Sequence, residues 1–418
     1  MRAPLEIYRG WWVLAGLFLV YAASIGILMH TLPLTYPALI EEFGWDEAQV
    51  TLPATVLFIV AAFVSPPVGA LLDRFSPRLV IAVGSVAMVI GLLAFSRITE
   101  LWQLVAVYIV FALAISMCGL VSTMLVLTRW FERLRGRSTG ILLLASSLGA
   151  SVFPLILGAG MGSFGWRGAL LIFAAIAAAM AILPALVLIR NRPRPVESAI
   201  EVAGEGTVYL RVDDGRHHGP TLRDALRQPR FYLIAAATGA VWLTVISLIQ
   251  HQAIYLSRDV GITRDALPAV FSTFFAFSVA GKLSFGWLSD RLDKGITLIS
   301  SIAILIASLG ILLVVDSTNL LLVFVYAAIA GIGFSGAFTT IQLWIASFYA
   351  GHSYGKILAI LTLFDTLSGA LGTRIAGEMR TALNSYIPVI NMMILICFAA
   401  ILCIVAIRYL QVRQVNIQ

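Results

Sequence analysis

The decisive stretch of the sequence runs from Ala280 to Lys294 and reads AGKLSFGWLSDRLDK. Its residues 286–291 (GWLSDR) form a small-residue helix end that runs into a charged turn. The same Gly-x-Leu-x-Asp-Arg pattern occurs in residues 69–78, which read GALLDRFSPR. The two copies are offset by 217 positions, as 290 − 73 and 286 − 69 both give. The chain is therefore predicted to consist of two related halves, and Lys282 marks a charge that the first half lacks.

The composition indicates a membrane protein with many spans. Of 418 residues, 60% are hydrophobic and 12% are charged. Soluble domains carry about 25% charged residues, and a soluble fold of this size cannot hide so much apolar surface. In such a protein the net charge of +7 reports topology rather than nucleic-acid binding. The three cysteines lie in apolar runs, so we expect them to pack rather than to form disulfides.

The apolar runs predict an all-α membrane fold. A spanning helix needs about 20 apolar residues. Twelve such runs fall into two pseudo-symmetric bundles of six, residues 1–190 and 230–418, joined by a basic cytoplasmic linker at residues 191–229. The predicted spans are Trp11–Leu39, Ala48–Leu72, Pro77–Phe95, Leu101–Leu127, Gly136–Ala159, Trp166–Ile189, Phe231–Leu256, Asp265–Ser289, Ile296–Val315, Leu320–Ser347, Gly355–Glu378 and Tyr386–Leu410.

The distribution of Lys and Arg predicts the orientation. With the N-terminus in the cytoplasm, the cytoplasmic segments hold about 21 of the 28 Lys and Arg residues. The acidic loop at residues 41–47 (EEFGWDE) then faces outward. We therefore expect a multi-pass protein of the cytoplasmic (plasma or inner) membrane with both termini in the cytoplasm. The fold needs no partner chain, so we expect a monomer.

The repeated turn carries a family resemblance. Residues 69–78 resemble the signature between helices 2 and 3 of the major facilitator superfamily, and residues 286–291 resemble its weaker echo. The resemblance covers nearly the whole chain and implies two bundles that rock about a central cavity. It also implies that charges in the two turns form bonds present only in the outward-open state. These gating residues are Asp73, Arg74, Arg78, Asp290 and Arg291.

Two further stretches resemble one branch of that superfamily. Residues 8–12 (YRGWW) are similar to the opening of the monocarboxylate and oxalate/formate transporters. Residues 130–140 (WFERLRGRSTG) are similar to the fifth-helix signature of the same branch. Trp130 stands where this signature has tyrosine, and Ala145 stands where a second glycine is usual.

Lys282 is the first candidate for substrate binding. Charges in the hydrocarbon region cost about 2.5–3.5 kcal/mol on insertion scales, so they tend to be functional or paired. Lys282 lies roughly 12 Å in from the helix end at Asp290. In the resembling branch, helix 8 carries a cation here, usually arginine, that holds a carboxylate. The resemblance thus implies that Lys282 binds the anion as a point charge. The alternative is a structural ion pair or a snorkelling side chain.

Asp365 is the second predicted intramembrane charge, roughly 16 Å deep in helix 11. Helices 8 and 11 belong to the same half, so Lys282 and Asp365 are predicted to meet. The oxalate transporters resemble this region but place a lysine at or next to this position. The departure argues against oxalate and for a monoanion, a zwitterion or a proton-coupled substrate. We predict that Asp365 and Lys282 couple charge or protons to transport; the alternative is a permanent ion pair.

Four other residues are candidates for the lining of the binding site. His30 lies late in helix 1, Tyr108 in helix 4, Ser278 one turn before Lys282, and His251 toward the outer end of helix 7. For His30, Tyr108 and Ser278 the alternative is packing or the satisfaction of a helix contact. His251 is also a candidate gate or proton group, and its alternative is a solvated side chain near the membrane interface. Arg374 and Glu378, one turn apart in helix 11, are predicted to form an i,i+4 ion pair.

These features predict a secondary active transporter that moves a small organic anion, a monocarboxylate, by proton-coupled alternating access. Its partners are the substrate, protons and the lipid bilayer. No His/Asp/Glu cluster in the spans has metal-ligand spacing, and His217-His218 in the linker is interpreted as part of a solvated loop. No phosphate-binding loop occurs, so neither a metal, a cofactor nor a catalytic residue is predicted. The alternatives are an exporter of amphipathic compounds, a non-transporting membrane sensor and, least favoured, a membrane-embedded enzyme.

Overall fold

The computed structural model describes residues 8–193, 220–349 and 353–415, with side chains to residue 409. Within these ranges the chain is helical and contains no β-strand. Eleven helices are long and apolar enough to cross a membrane. One of them, Arg135–Val187, holds Gly165 at φ 68°, a backbone conformation that glycine adopts without strain. This break divides the helix into two spans, so the predicted all-α fold of twelve spanning helices is confirmed.

We number the helices in chain order. They are α1 (Gly10–Phe43), α2 (Glu47–Arg74), α3 (Pro77–Phe95), α4 (Leu101–Trp130), α5 (135–164), α6 (166–187), α7 (Pro229–Asp259), α8 (Leu267–Ser289), α9 (Lys294–Leu312), α10 (Leu320–Tyr349), α11 (Tyr354–Leu383) and α12 (Ile387–Tyr409).

The chain forms two compact units. The first comprises Met1–Leu32 and Phe63–Asp213, and the second comprises Pro33–Ala62 and Asp214–Gln418. The late part of α1 and the early part of α2 are thus grouped with the second unit, whereas the sequence assigned them to the first bundle. The bundle boundaries at residues 190 and 230 stay a prediction, and most of the linker lies outside the described residues.

Glycines bring the helices of the second unit together. A Cβ added at Gly331 of α10 would lie 2.0 Å from the carbonyl oxygen of Phe274 in α8. A Cβ at Gly372 of α11 would lie 2.6 Å from the carbonyl oxygen of Leu243 in α7. Small residues permit this backbone approach, which supplies dispersion contact where lipid offers no hydrophobic driving force. The helix pairs that carry Lys282 and Asp365 are therefore closely packed.

Both units join their third helix to their sixth, but by different chemistry. In the first unit, Arg78 at the start of α3 donates to the carbonyl oxygens of Ala185 (3.1 Å) and Leu186 near the end of α6. These carbonyls have no partner within their own helix. In the second unit, Asp293 caps the start of α9 through the Ile296 amide (3.0 Å) and pairs with Arg408 of α12. The sequence repeat thus reappears as the same helix pairing.

The described helices carry apolar side chains on their surface and small polar side chains inside, the reverse of a soluble protein. The hydroxyls of the buried serines donate to the preceding turn of their own helix, as from Ser85 to the Ile81 carbonyl (2.8 Å) and from Ser308 to the Leu305 carbonyl (2.7 Å). In lipid, polar groups have to find such partners within the protein. Large side chains that are more than half exposed include Phe63, Ile90, Trp287, Leu321, Leu395 and Leu402.

Candidate functional site

Lys282 lies on α8 beside an apolar cleft of the second unit. Its side chain is half-buried, and its Nζ lies 5.5 Å from the ring centroid of Phe338 in α10. The Phe338 ring meets the Trp242 ring of α7 edge to face, with 5.8 Å between centroids. A cation over an aromatic face is attracted by the ring quadrupole. The six side chains that line the cleft are Val241, Trp242, Val245, Phe334, Phe338 and Ile341.

Ser278 lies one turn before Lys282 and is fully buried. Its hydroxyl donates to the Phe275 carbonyl of its own helix at 2.7 Å. Its backbone faces α10, since a Cβ added at Gly331 would lie 3.2 Å from the Ser278 nitrogen. Ser278 thus lies at a close approach of α8 and α10.

Asp365 lies on α11 and is 4% exposed. Its carboxylate accepts a hydrogen bond from the Thr238 hydroxyl of α7, at 2.6 Å. Among the described residues this neutral hydroxyl, rather than a cation, is the partner of the carboxylate. Sequence reasoning missed Thr238, because a single threonine on an apolar helix gives no signal of its own. The predicted meeting of Asp365 with Lys282 stays a prediction.

His251 connects three helices at the far end of α7. Its Nδ1 lies 2.9 Å from the Tyr386 hydroxyl, and its Nε2 lies 3.0 Å from the Thr373 carbonyl oxygen. A carbonyl only accepts, so Nε2 carries the hydrogen and Nδ1 accepts from the tyrosine. The ring therefore links α7 to α11 and to the residue that precedes α12.

We expect His251→Phe to lower the thermal stability of the purified protein. The change leaves the buried Tyr386 hydroxyl without its acceptor and removes the side-chain hydrogen bond to the Thr373 carbonyl, and an unsatisfied buried group costs about 1–3 kcal/mol. The unfolding temperature in detergent measures the effect. His251→Gln, which restores a donor toward Thr373, is the matched control and should lose less. Equal stability of His251→Phe and the wild type would show that these bonds are not structural.

His30 and Tyr108 lie in the first unit. His30 is buried in a π-helical turn of α1, Gly26–Thr31, and a 3₁₀ turn, Leu32–Thr35, follows it. Such turns are frequent at functional sites and hinges. Tyr108 is buried in α4, where its ring meets those of Phe95 (6.1 Å) and Phe111 (5.6 Å). Their substrate-binding roles stay a prediction.

The predicted gating residues lie at the ends of α2 and α8. Asp73 and Arg74 are exposed on a turn anchored by the buried side chains of Val68, Leu72 and Val80. Asp290 and Arg291 are exposed as well, and the Arg291 guanidinium lies 3.8 Å from the ring centroid of Trp287. Arg78 bonds within its own unit, to the end of α6. Their gating roles stay a prediction.

The two stretches that carry the branch resemblance contact each other. The Tyr8 hydroxyl donates to the Trp130 carbonyl, and the Tyr8 ring meets the Phe131 ring edge to face at 5.7 Å. The Trp130 indole, at the position that departs from the signature, donates to the Arg190 carbonyl at 2.8 Å. The two stretches therefore pack against each other within the first unit.

Comparison with known proteins decides the family. The family model described as Major Facilitator Superfamily matches residues 13–373 and 252–417. The chain belongs to the major facilitator superfamily. Together with the twelve spanning helices, this membership makes the chain a multi-pass membrane transporter of that superfamily.

Relatives of this superfamily member include named anion transporters. It is 26% identical over 387 residues to "Monocarboxylate transporter 13" of Bos taurus, covering 90% of the chain and 84% of that protein. It is 25% identical over 395 residues to "Phosphoglycerate transporter protein" of Salmonella typhimurium, covering 89% of the chain and 83% of that protein.

Solved structures of the superfamily share the fold of the transporter. A bacterial homologue of the human lysosomal transporter Spinster, in an inward-facing and unoccupied conformation, matches with a TM-score of 0.69. The match covers 97% of this chain and 95% of that one at 19% identity, a likeness that shows the fold alone.

Proposed function

We propose that this protein is a proton-coupled transporter of a small organic anion, a monocarboxylate with an apolar tail, in the cytoplasmic membrane. The observation that carries the proposal is the position of Lys282, whose ammonium group lies at the ring of Phe338, a residue of the apolar cleft. Both termini are proposed to lie in the cytoplasm, and the protein is proposed to act as a monomer.

The charge of the site favours an anion. An ionisable side chain within the spans is expensive to place there and commonly marks a substrate pathway. Lysine offers three donors on one compact positive charge, which can bind a single carboxylate. The two relatives compared above are named for a monocarboxylate and for phosphoglycerate, both of which are organic anions.

The lining of the cleft favours a single carboxylate on an apolar body. Of its six side chains only Trp242 offers a polar atom, the indole N–H. Hydroxyl groups or a second anionic group placed there would lose water without gaining a partner, which costs free energy. This apolar wall therefore contacts the tail of pyruvate or of a branched-chain 2-oxo acid at less cost than it contacts the hydroxyl and phosphate groups of phosphoglycerate.

Asp365 is the proposed proton carrier. Its carboxyl is buried in α11, and its partner is the Thr238 hydroxyl, which can bond either protonation state. Carboxylates buried within transporter spans commonly serve as proton relays. If Asp365 binds a proton when Lys282 binds the substrate anion, one anion and one proton are loaded together. We leave His251 out of the binding site, since both of its ring nitrogens are bonded.

Uptake by purified protein in liposomes tests the proposal. With an inward proton gradient, labelled pyruvate, lactate and 2-oxoisocaproate should accumulate, whereas 3-phosphoglycerate and gluconate should not. Phe338→Ser should reduce uptake of 2-oxoisocaproate more than uptake of pyruvate, because only the larger tail has enough apolar surface to pack on the Phe338 ring. Trp102→Ser, which changes an exposed aromatic of α4, is the matched control. Failure of every carboxylate to accumulate would contradict the proposal and favour an exporter of amphipathic compounds.

A further inference from the structure

Trp242 of α7 neighbours the partners of both charged residues of the proposed site. Its ring meets the Phe338 ring edge to face, with 5.8 Å between centroids, and the Lys282 ammonium nitrogen lies 5.5 Å from the centroid of the same Phe338 ring. Thr238, whose hydroxyl donates to Asp365, lies one helical turn before Trp242. Residues four apart are neighbours on the surface of a helix. The indole therefore lies close to the surroundings of both proposed charges.

The wall of the cleft is hydrocarbon apart from this indole. The six lining side chains named above come from one side of α7 and one side of α10. Phe334, at one end of the α10 side, also packs against the Phe274 and Phe275 rings of α8, at 5.7 and 6.3 Å between centroids. A polar group of a substrate that enters the cleft therefore has one partner among the lining side chains, the N–H of Trp242.

The indole N–H of Trp242 is a donor that needs an acceptor. Two other indoles of the chain show such acceptors, since Trp130 donates to the Arg190 carbonyl at 2.8 Å and Trp102 donates to the Glu100 carboxylate at 2.6 Å. Among the described residues, no hydrogen bond of the half-buried Trp242 indole is found. Indole N–H groups withdrawn from water usually find an acceptor. When a substrate displaces water from the cleft, that acceptor has to come from the substrate.

An oxygen on the carbon next to the carboxylate meets this requirement. The Lys282 nitrogen and the Trp242 ring lie 5.5 and 5.8 Å from the centre of the same phenyl ring, that of Phe338. An N–H···O hydrogen bond spans about 2.9 Å, and in a 2-oxo or 2-hydroxy acid the two acceptor groups lie on adjacent carbons. A carboxylate bound to Lys282 can thus present the oxygen on its C2 to the indole.

We propose that Trp242 determines specificity by donating its indole N–H to an oxygen on C2 of the substrate, while Lys282 binds the carboxylate. The inference rests on the proposed function and adds to it a choice among monocarboxylates. Acids with an oxo or hydroxyl group at C2 carry the acceptor and are selected. Unsubstituted acids carry none. A 2-amino acid carries an ammonium group, which only donates and which the charge of Lys282 repels.

Competition among four acids of one carbon skeleton tests the inference on the wild-type protein. 2-Oxoisocaproate, 2-hydroxyisocaproate, isocaproate and leucine differ only at C2. Each is added unlabelled to liposomes during uptake of labelled 2-oxoisocaproate. The oxo and hydroxy acids should inhibit at concentrations about two- to tenfold lower than isocaproate, the factor that corresponds to one ordinary hydrogen bond. Leucine should inhibit least.

Trp242→Phe assigns this preference to the indole. The change removes the N–H and keeps an aromatic ring beside Phe338, so the inhibition constants of 2-oxoisocaproate and isocaproate should come within about twofold of each other. Trp242→Tyr, whose hydroxyl is a donor, should restore part of the preference. Tyr232→Phe removes an exposed polar group from the same helix and is the matched control, which should keep the wild-type ratio.

The ratio of two inhibition constants does not depend on the amount of folded protein, so a poorly folding variant does not imitate the expected result. Should Trp242→Phe fail to fold, Trp242→Tyr and the wild-type series decide.

Three results would overturn the role of Trp242 and leave the proposed monocarboxylate transporter standing. The first is equal inhibition of the wild type by isocaproate and 2-oxoisocaproate, and the second is inhibition by leucine as strong as that by 2-oxoisocaproate. The third is the wild-type ratio in Trp242→Phe, which would assign the choice at C2 to another residue. If the wild type takes up no carboxylate at all, the proposed function fails and this inference fails with it.

Discussion

Replacement of Lys282 by glutamine is expected to reduce carboxylate uptake strongly. Glutamine is uncharged and one atom shorter than lysine, so the change removes the cation beside the apolar cleft. A hydrogen bond to a charged group contributes about 1.5–3 kcal/mol, which corresponds to a loss of about 10- to 150-fold in substrate affinity. Initial rates of labelled pyruvate uptake, measured over a range of concentrations in liposomes, give the size of the loss.

Two variants control for this result. Lys282→Arg keeps the charge and should retain part of the uptake. Arg291→Gln removes an exposed cation at the end of the same helix and should change the affinity for pyruvate little. If Lys282→Gln has the wild-type affinity for pyruvate, Lys282 has only a structural role and the proposed binding site is wrong.

Replacement of Asp365 by asparagine is expected to separate substrate movement from proton movement. Asparagine has nearly the same shape and can still accept from the Thr238 hydroxyl, so the packing of α7 against α11 should persist. A pH gradient of one unit supports about tenfold accumulation by one-to-one symport, and the variant should show none. Exchange of labelled for unlabelled pyruvate across the same membrane should continue.

Glu378→Gln is the matched control for Asp365→Asn. Glu378 lies on the same helix, half-exposed in its ion pair with Arg374, and its loss should leave accumulation intact. Thr238→Val removes the hydroxyl partner of Asp365 and should weaken coupling without abolishing it. Gradient-driven accumulation that survives in Asp365→Asn would assign the proton to another group.

The helical architecture could be predicted because it follows from local composition. Twelve apolar runs, each long enough to span the bilayer, became the twelve spans of the structure. The Arg374–Glu378 pair was confirmed, because residues four apart on one helix are neighbours whatever surrounds them. The one-residue break at Gly165 was not foreseen, since a single glycine between apolar runs gives no sign of how the chain turns there.

The contacts of the candidate site depend on tertiary packing, which local patterns do not encode. Lys282 was found from the sequence because a charge in an apolar run is conspicuous. Trp242 and Phe338 were not found, since aromatic residues on apolar helices usually pack in the core. Glu47 was predicted only to face outward in an acidic loop. Its ion-pair partners Arg258 and Arg380 are 211 and 333 positions away (258 − 47 and 380 − 47).

Movement of protons with substrate is the most direct test of the central claim, that Lys282 and Asp365 load an anion and a proton together. Liposomes that contain the protein and a trapped pH-sensitive dye receive an inward pyruvate gradient, with equal pH on both sides at the start. We predict rapid acidification of the lumen with the wild type. Liposomes with Lys282→Gln, Asp365→Asn or no protein should acidify only at the slow rate of passive acid permeation. If liposomes with the wild type acidify no faster than these three, the claim that Lys282 and Asp365 load an anion and a proton together is wrong.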